Sequence, residues 1–250
     1  MKEYIKGIND MNHQPVYRRI LLKLSGEALA PASREDGILD FAFMDRVAAV
    51  LKKCRDAGVE IGVIVGAGNI WRGVTGSVKM ERSRADHMGM LATTINALAL
   101  QDVFIRAGMD TAVMSATEMD TYADHYTTRH ANRLLSEGKI VIFAGGTGAP
   151  YFSTDTAAAL RAAETGADAI LMAKNIDYLY TADPKKDPTA KPIYDITYAE
   201  VLARGLRAFD LTAVSFCREN NIEAYGFALA DPENIYRAVM GESVGTRMHN

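Results

Sequence analysis

Short apolar runs recur along the chain as "RILLKL", "VEIGVIV", "DTAVMSA", "GKIVIFA", "ADAILMA" and "IEAYGFAL", and helix-period segments or glycine-rich turns separate them. This alternation is the strongest constraint on the fold. An apolar strand of five or six residues must be covered on both faces, and the helical segments between strands supply that cover. The pattern predicts an α/β fold with a mainly parallel central sheet sandwiched by helices.

Helices are expected over "FAFMDRVAAVLKKCRDAG", closed by Gly58, and over "DHMGMLATTINALALQDVFIRAG", opened by Asp86 as N-cap and ended at Gly108. Others are expected from Thr127 to Ser136, in the alanine-rich stretch after "YFSTD", in "YAEVLARG", over Leu211 to Arg218 and in "PENIYRAVMG". The segment "IDYLYTADPKKDPTAKPI" reads as a loop. Residues 1 to about 17 read as a flexible polar lead-in, and 18–250 as one domain.

Composition narrows the function. A net charge of -3 on 250 residues argues against a general nucleic-acid binder, which usually carries a basic field. The two cysteines, Cys54 and Cys217, are distant in sequence and read as core thiols in a reducing compartment. No leader-like apolar segment stands out, and uninterrupted apolar runs fall far short of the roughly 18 residues of a membrane span. The expectation is a cytoplasmic protein without a membrane partner. His87, His125 and His130 lack metal-ligand spacing and read as structural or surface residues. The methionines of "HMGML" and Met114 read as core filler.

In an open parallel sheet, ligands collect at the C-terminal strand ends. Three exits here share a chemistry: "KLSGEA", "VGAGNIWRG" and "AGGTGAPYFSTD". Glycines let backbone N–H groups approach a phosphate, and a following helix N-terminus adds a favourable dipole. The third loop has no cation of its own; Lys23 and Arg72 on the first two exits supply the charge if the sheet brings them together. No single loop is diagnostic. "GAGNIW" fails the dinucleotide fingerprint at its third glycine, and no GxxxxGK[ST] is present.

Asp86 fits two compatible roles, a helix cap or an acceptor for the vicinal hydroxyls of a ribose. Asp155 sits at a helix start, where a carboxylate is stabilised anyway. In "KNIDYLYTADP", Tyr178 and Tyr180 could pack on an adenine and Asp183 could accept from its amine or from ribose; an ordinary Asp-Pro turn gives the same pattern.

Taken together, "RILLKLSGEAL", "DHMGMLAT", "GTGAPYFSTDTAAALRAAE", "YTADPKKDPTA" and "RAVMGESVGT" resemble the bacterial uridylate kinases of the amino acid kinase family, from about Val16 to Thr246. The resemblance implies a three-layer fold and transfer of the ATP γ-phosphoryl, with Mg²⁺, to UMP, giving UDP and ADP in pyrimidine nucleotide synthesis. It also implies a homohexamer, with acceptor binding in about 18–165 and ATP binding in about 166–250. Carried over by position, Lys23, Leu24, Ser25 and Gly26 line the ATP phosphates with Gly68 and Arg72, while Asn175, Tyr180 and Asp183 hold the nucleoside end. Ala67 offers its backbone to UMP and Asp86 contacts its ribose. Thr147, Gly148, Ala149, Pro150, Tyr151, Phe152, Ser153 and Thr154 cradle uracil and phosphate. Lys23, Arg72 and Asp155 carry the catalysis, with Asp155 either orienting Lys23 or holding Mg²⁺ through water; no protein metal ligands are assigned.

Three positions depart from the family pattern. Ala67 stands where a glycine is usual and requires a negative φ. Ala149 replaces an asparagine, a loss of roughly 0.5–1.5 kcal/mol if a hydrogen bond went with it. "APASREDGILD" replaces the glycine-rich segment associated with GTP activation. Two other functions stay open on sequence: a kinase acting on a carboxylate or carbamate, and a nucleotide sensor with little turnover.

Overall fold

The computed structural model describes residues 14–72, 80–174, 176–182, 184, 186–206 and 209–250. Its strands are β1 (Arg19–Leu24), β2 (Glu60–Val65), β3 (Thr111–Ser115), β4 (Asp124–His125), β5 (Ile140–Ala144), β6 (Ala169–Lys174), β7 (Leu179–Tyr180), β8 (Pro192–Ile193), β9 (Asp195–Thr197), β10 (Glu223–Ala228) and β11 (Thr246–His249). Its α-helices are α1 (Phe41–Asp56), α2 (Arg82–Arg106), α3 (Thr128–Ser136), α4 (Thr154–Thr165), α5 (Tyr198–Arg204), α6 (Leu211–Glu219) and α7 (Glu233–Val239). Nine strands form one sheet in the order β4-β3-β5-β2-β1-β6-β10-β11-β9. Neighbours are parallel except β10 and β11, which run antiparallel.

The two-residue period of the strands sorts side chains into two cores. From β1, Ile20, Leu22 and Leu24 enter the layer shared with α1, α2 and α7. Leu21, with Ile170 and Met172 of β6, enters the layer shared with α3, α4, α5 and α6. The same alternation carries Lys23 and Lys174 onto the α4 side, on neighbouring strands paired at Lys23–Met172 and Leu24–Ala173.

Several expectations change. Helix α2 starts at Arg82, with Glu81 in the N-cap position, so Asp86 lies inside the helix and is not its cap. By length and composition α2 could cross a membrane, a property hidden from a search for uninterrupted runs, yet half of its apolar window is buried in this fold. Met88 faces outward at 38% exposure, whereas Met90 and Met114 are core residues. The lead-in stops short of residue 17: Val16 N–H donates to the Val239 carbonyl at 2.9 Å and the Tyr17 hydroxyl to Glu223 at 3.0 Å. The expected 176–193 loop contains a short antiparallel β7–β8 hairpin. Cys54 and Cys217 are buried free thiols, and burial pushes each up to about 12.

Candidate active site

The first two strand exits touch through their backbones. A Cβ built on Gly26 would lie 2.4 Å from the Gly66 carbonyl oxygen and 2.6 Å from the Gly68 nitrogen. Only glycine permits that approach. The Leu24 carbonyl then accepts from Gly66 N–H at 3.0 Å. The Leu24 side chain itself is fully buried in the core. Among the described residues, Tyr151 and Asn221 are the non-glycines with positive φ; Ala67 therefore keeps the ordinary geometry its Cβ requires.

Helix α2 holds the other loops. Gly145 N–H donates to Thr93 Oγ1 at 2.9 Å, and Tyr151 N–H donates to Asp86 Oδ2 at 2.8 Å. Asp86 also accepts from Arg82 Nε at 2.8 and 2.9 Å, and the Arg82 guanidinium lies 5.2 Å from the Tyr151 ring centroid. Tyr151 takes φ 72°, an uncommon conformation for a residue with a side chain; its bond to Asp86 helps hold it there. Beyond it, Ser153 caps α4 by accepting from Asp155 and Thr156 N–H at 3.0 and 3.2 Å.

At the start of α4 lies a buried charge cluster. Lys23 Nζ contacts Asp155 Oδ1 at 2.8 Å, and Lys174 Nζ contacts Asp155 Oδ2 at 3.0 Å. Burial alone would raise the Asp155 carboxyl, but the two ammonium groups outweigh it and hold the pKa below the ordinary carboxylate value. Burial lowers the Lys174 pKa, and Lys23 adds to that, against the pull of Asp155. Lys174 also lies 4.9 Å from the centre of the Phe209 ring. Asp210 accepts from Thr156 Oγ1 at 3.0 Å and from Ala213 N–H at 2.8 Å, and it bonds the Ser153 hydroxyl.

Lys23 and Ser153 of this cluster reach the lining of a cleft of about 540 Å³, with Asp155 and Lys174 behind Lys23. Of the residues expected from sequence, Lys23, Ser25, Gly26, Ala67, Gly68, Arg72, Asp86, Thr147, Tyr151, Phe152, Ser153 and Thr154 line it. Gly148, Ala149 and Pro150 complete the same loop without lining the cleft, and Asp155 stands behind Lys23. Arg72 is half exposed and ion-paired with Glu27. Tyr180 does not line the cleft; it sits on the hairpin after β6 and donates to Asp177 at 3.0 Å. Asn175 and Asp183 lie outside the described residues.

Sequence reasoning missed Glu27, Trp71, Arg82, Thr93 and Lys174. The parity of β6 was the available signal for Lys174: Ile170, Met172 and Lys174 share one face. Among the described residues no cluster of His, Cys, Asp or Glu is arranged to hold a metal ion. Each Asp155 oxygen is held by a lysine ammonium, a donor set that does not suit direct ligation of Mg²⁺ by this carboxylate.

A doubly covered, mainly parallel sheet whose glycine-rich exits converge on buried lysines, without a P-loop, defines an anion-binding cleft of the phosphotransferase type. The amino acid kinase family model matches residues 18–225, and the chain belongs to that family. It is similar to the UMP kinase of Bacillus anthracis, at 34% identity over 93% of this chain and 96% of that one, with a TM-score of 0.89. The UMP kinase of Ureaplasma parvum matches at 34% identity over 93% and 99% of the two chains, with a TM-score of 0.87. The uridylate kinase of Archaeoglobus fulgidus matches at 26% identity over 92% and 99%, with a TM-score of 0.71.

Proposed function

We propose that the protein transfers the γ-phosphoryl group of ATP to the phosphate of UMP, giving UDP and ADP. The observation that carries this reading is the pairing of Lys23 and Lys174 on one buried carboxylate, at the point where three glycine-rich exits border one cleft. Likeness to UMP kinases over most of the chain supports the choice of acceptor.

Phosphoryl transfer through a loose transition state needs alignment and charge stabilisation more than a general base. The UMP phosphate is already largely dianionic near neutral pH, with a second pKa of about 6. Its oxygen attacks the γ-phosphorus, the bond to the β,γ-bridging oxygen breaks, and ADP leaves with that electron pair. Lys23 stabilises the transferring and leaving oxygens, with Lys174 beside it. Asp155 holds both ammonium groups in place, and backbone N–H groups of Ser25, Gly26 and Gly68 act as fixed donors. Arg72 exchanges Glu27 for the acceptor phosphate. Ala67 N–H and the loop from Thr147 to Thr154 receive UMP, and Asp86 accepts from its ribose. Leu24 contributes through its backbone, while Asn175, Tyr180 and Asp183 serve the nucleoside end of ATP. Mg²⁺ bound with ATP would supply further charge neutralisation at the phosphates, and no protein residue is assigned to hold it.

In this reading residues 18–165 bind the acceptor and 166–250 bind ATP, with the charge cluster at their junction. The cytoplasm suits two free thiols and ATP chemistry. The assembly is a homohexamer whose contacts include the outer face of α2. There Leu91 and Ile95, with Tyr122 from the segment between β3 and β4, are about half exposed or more, and an apolar groove of about 660 Å³ opens beside them. Apolar patches of this kind mark association surfaces. Sedimentation would show a hexamer, and Ile95→Glu would shift it to smaller species.

The test is ADP release from ATP and Mg²⁺ with UMP, CMP, dUMP, acetylglutamate or carbamate as acceptor. Turnover with UMP well above the others supports the assignment. UMP binding without turnover overturns it in favour of a sensor.

A further inference from the structure

Asn96 stands fully buried in the middle of α2, where an apolar residue would be the default. A buried amide is retained at low cost only when its polar atoms are satisfied. Here they are. Asn96 Nδ2 donates to the Gly66 carbonyl at 2.7 Å and to Asn69 Oδ1 at 2.8 Å, while Asn96 Oδ1 accepts from Asn69 Nδ2 at 3.0 Å. Asn69 Nδ2 also donates to the Ile38 carbonyl at 2.9 Å. The side chain therefore grips the second glycine loop at both ends, its first residue and its fourth.

The geometry of the peptide unit gives this grip a consequence. No peptide bond among the described residues is cis, and in a planar trans peptide the carbonyl of one residue and the N–H of the next point in opposite directions. A Gly66 carbonyl fixed on Asn96 turns the Ala67 N–H away from that amide. Gly66, Ala67 and Gly68 all line the cleft. Gly26 packs against the same carbonyl at the distance only a glycine allows, so the peptide has little room to flip.

We infer that Asn96 is the positioning residue of the acceptor site: by fixing the Gly66–Ala67 peptide it aims the Ala67 N–H at the acceptor phosphate. The inference rests on the kinase reading of this cleft. It assigns the buried amide a role in catalysis through the loop, without contact to substrate. Preorganised backbone donors stabilise charge because they need no reorientation during reaction.

Asn96→Asp keeps shape and acceptor but removes both donated bonds. In folded enzyme it lowers kcat/KM for UMP roughly tenfold or more, the scale of one or two lost hydrogen bonds to a preorganised donor, and leaves KM for ATP within about twofold, a margin far below one such bond. Should Asn96→Asp not fold, Asn69→Ala, which leaves the Asn96–Gly66 bond but removes its brace, decides the matter through a loss of about threefold or more in the same quantity, the low end for one hydrogen bond. Wild-type values in the folded variant, or equal losses for ATP and UMP, would overturn the inference.

Binding is read independently by the sole tryptophan, Trp71, which lines the cleft and donates from Nε1 to the Ala85 carbonyl at 2.8 Å. Titration of wild type and variant with UMP by Trp71 fluorescence keeps two failures apart. A wild type that binds UMP but does not turn over refutes the kinase reading alone, and unchanged UMP affinity in the variant then refutes the role of Asn96.

Discussion

Asp155→Asn is the perturbation that presses hardest on the charge cluster. The side chains of Lys23, Asp155 and Lys174 are 9%, 14% and 19% exposed, and the carboxylate gives one oxygen to each lysine. Asparagine keeps the shape but changes the charge pattern. Its carbonyl can accept from one ammonium group, while its NH₂ confronts the other with donor against donor. Removing one partner of a buried ion pair costs about 3–5 kcal/mol because the remaining charge is left uncompensated. The residual exposure here points to the lower end, about 3 kcal/mol. That is a large share of the roughly 5–15 kcal/mol by which domains are stable, so urea unfolding without nucleotide resolves it readily. ATP, whose phosphates restore negative charge between the lysines, should stabilise the variant more than it stabilises the wild type. The rate should fall by at least about 10²-fold, the scale of losing one charge-stabilising group. A variant within about 1 kcal/mol of wild type, or with kcat within about threefold, would refute the claim that Asp155 organises both lysines.

The other predictions follow from single contacts. Lys23→Ala should lower kcat by at least about 10²-fold in a folded enzyme, read by initial rates at saturating ATP and UMP. Gly26→Ala places a methyl against the Gly66 carbonyl and Gly68 nitrogen; it should separate the first two loops and reduce kcat/KM by about 10²-fold or more, and full activity would refute the close approach. Asp86→Asn should mainly raise KM for UMP while leaving KM for ATP nearly unchanged, and because the carboxylate also holds Arg82 and the Tyr151 N–H, the melting temperature should fall with it. Glu223 supplies a pH dependence. Burial would raise its carboxyl, but bonds from Arg247, Tyr225 and Tyr17 prevail and hold it at about 2 against an ordinary 4.5. With a folded-state pKa below the unfolded one, its contribution is complete above about 4.5 and is lost as the pH falls toward 2. Acid titration of Glu223→Gln should lack that part of the stability loss.

Much of this arrangement is legible in the residues themselves, because the signals are periodic. The parallel core strands and helices α1, α3, α4, α6 and α7 follow from apolar spacing and glycine stops. Lys23, Arg72 and the third loop follow from the rule that parallel-sheet ligands collect at strand ends. What escaped has physical reasons. Strands of two to four residues, such as β4, β9 and β11, carry too few alternations to register as a pattern. The start of α2 was misplaced because an aspartate before an apolar run reads as a cap, and only the fold shows its carboxylate turned to Arg82 and the Tyr151 N–H. Lys174 and Asn96 are isolated polar residues whose partners lie 19 and 30 positions away in sequence. No local pattern announces such pairings.

The most direct test of the central claim follows the phosphoryl group itself. Phosphorus NMR of the protein with ATP, Mg²⁺ and UMP should show the ATP γ-signal and the UMP signal declining together while UDP and ADP appear in equal amounts. Inorganic phosphate in place of UDP, or an unchanged spectrum under conditions where UMP binds, would contradict it.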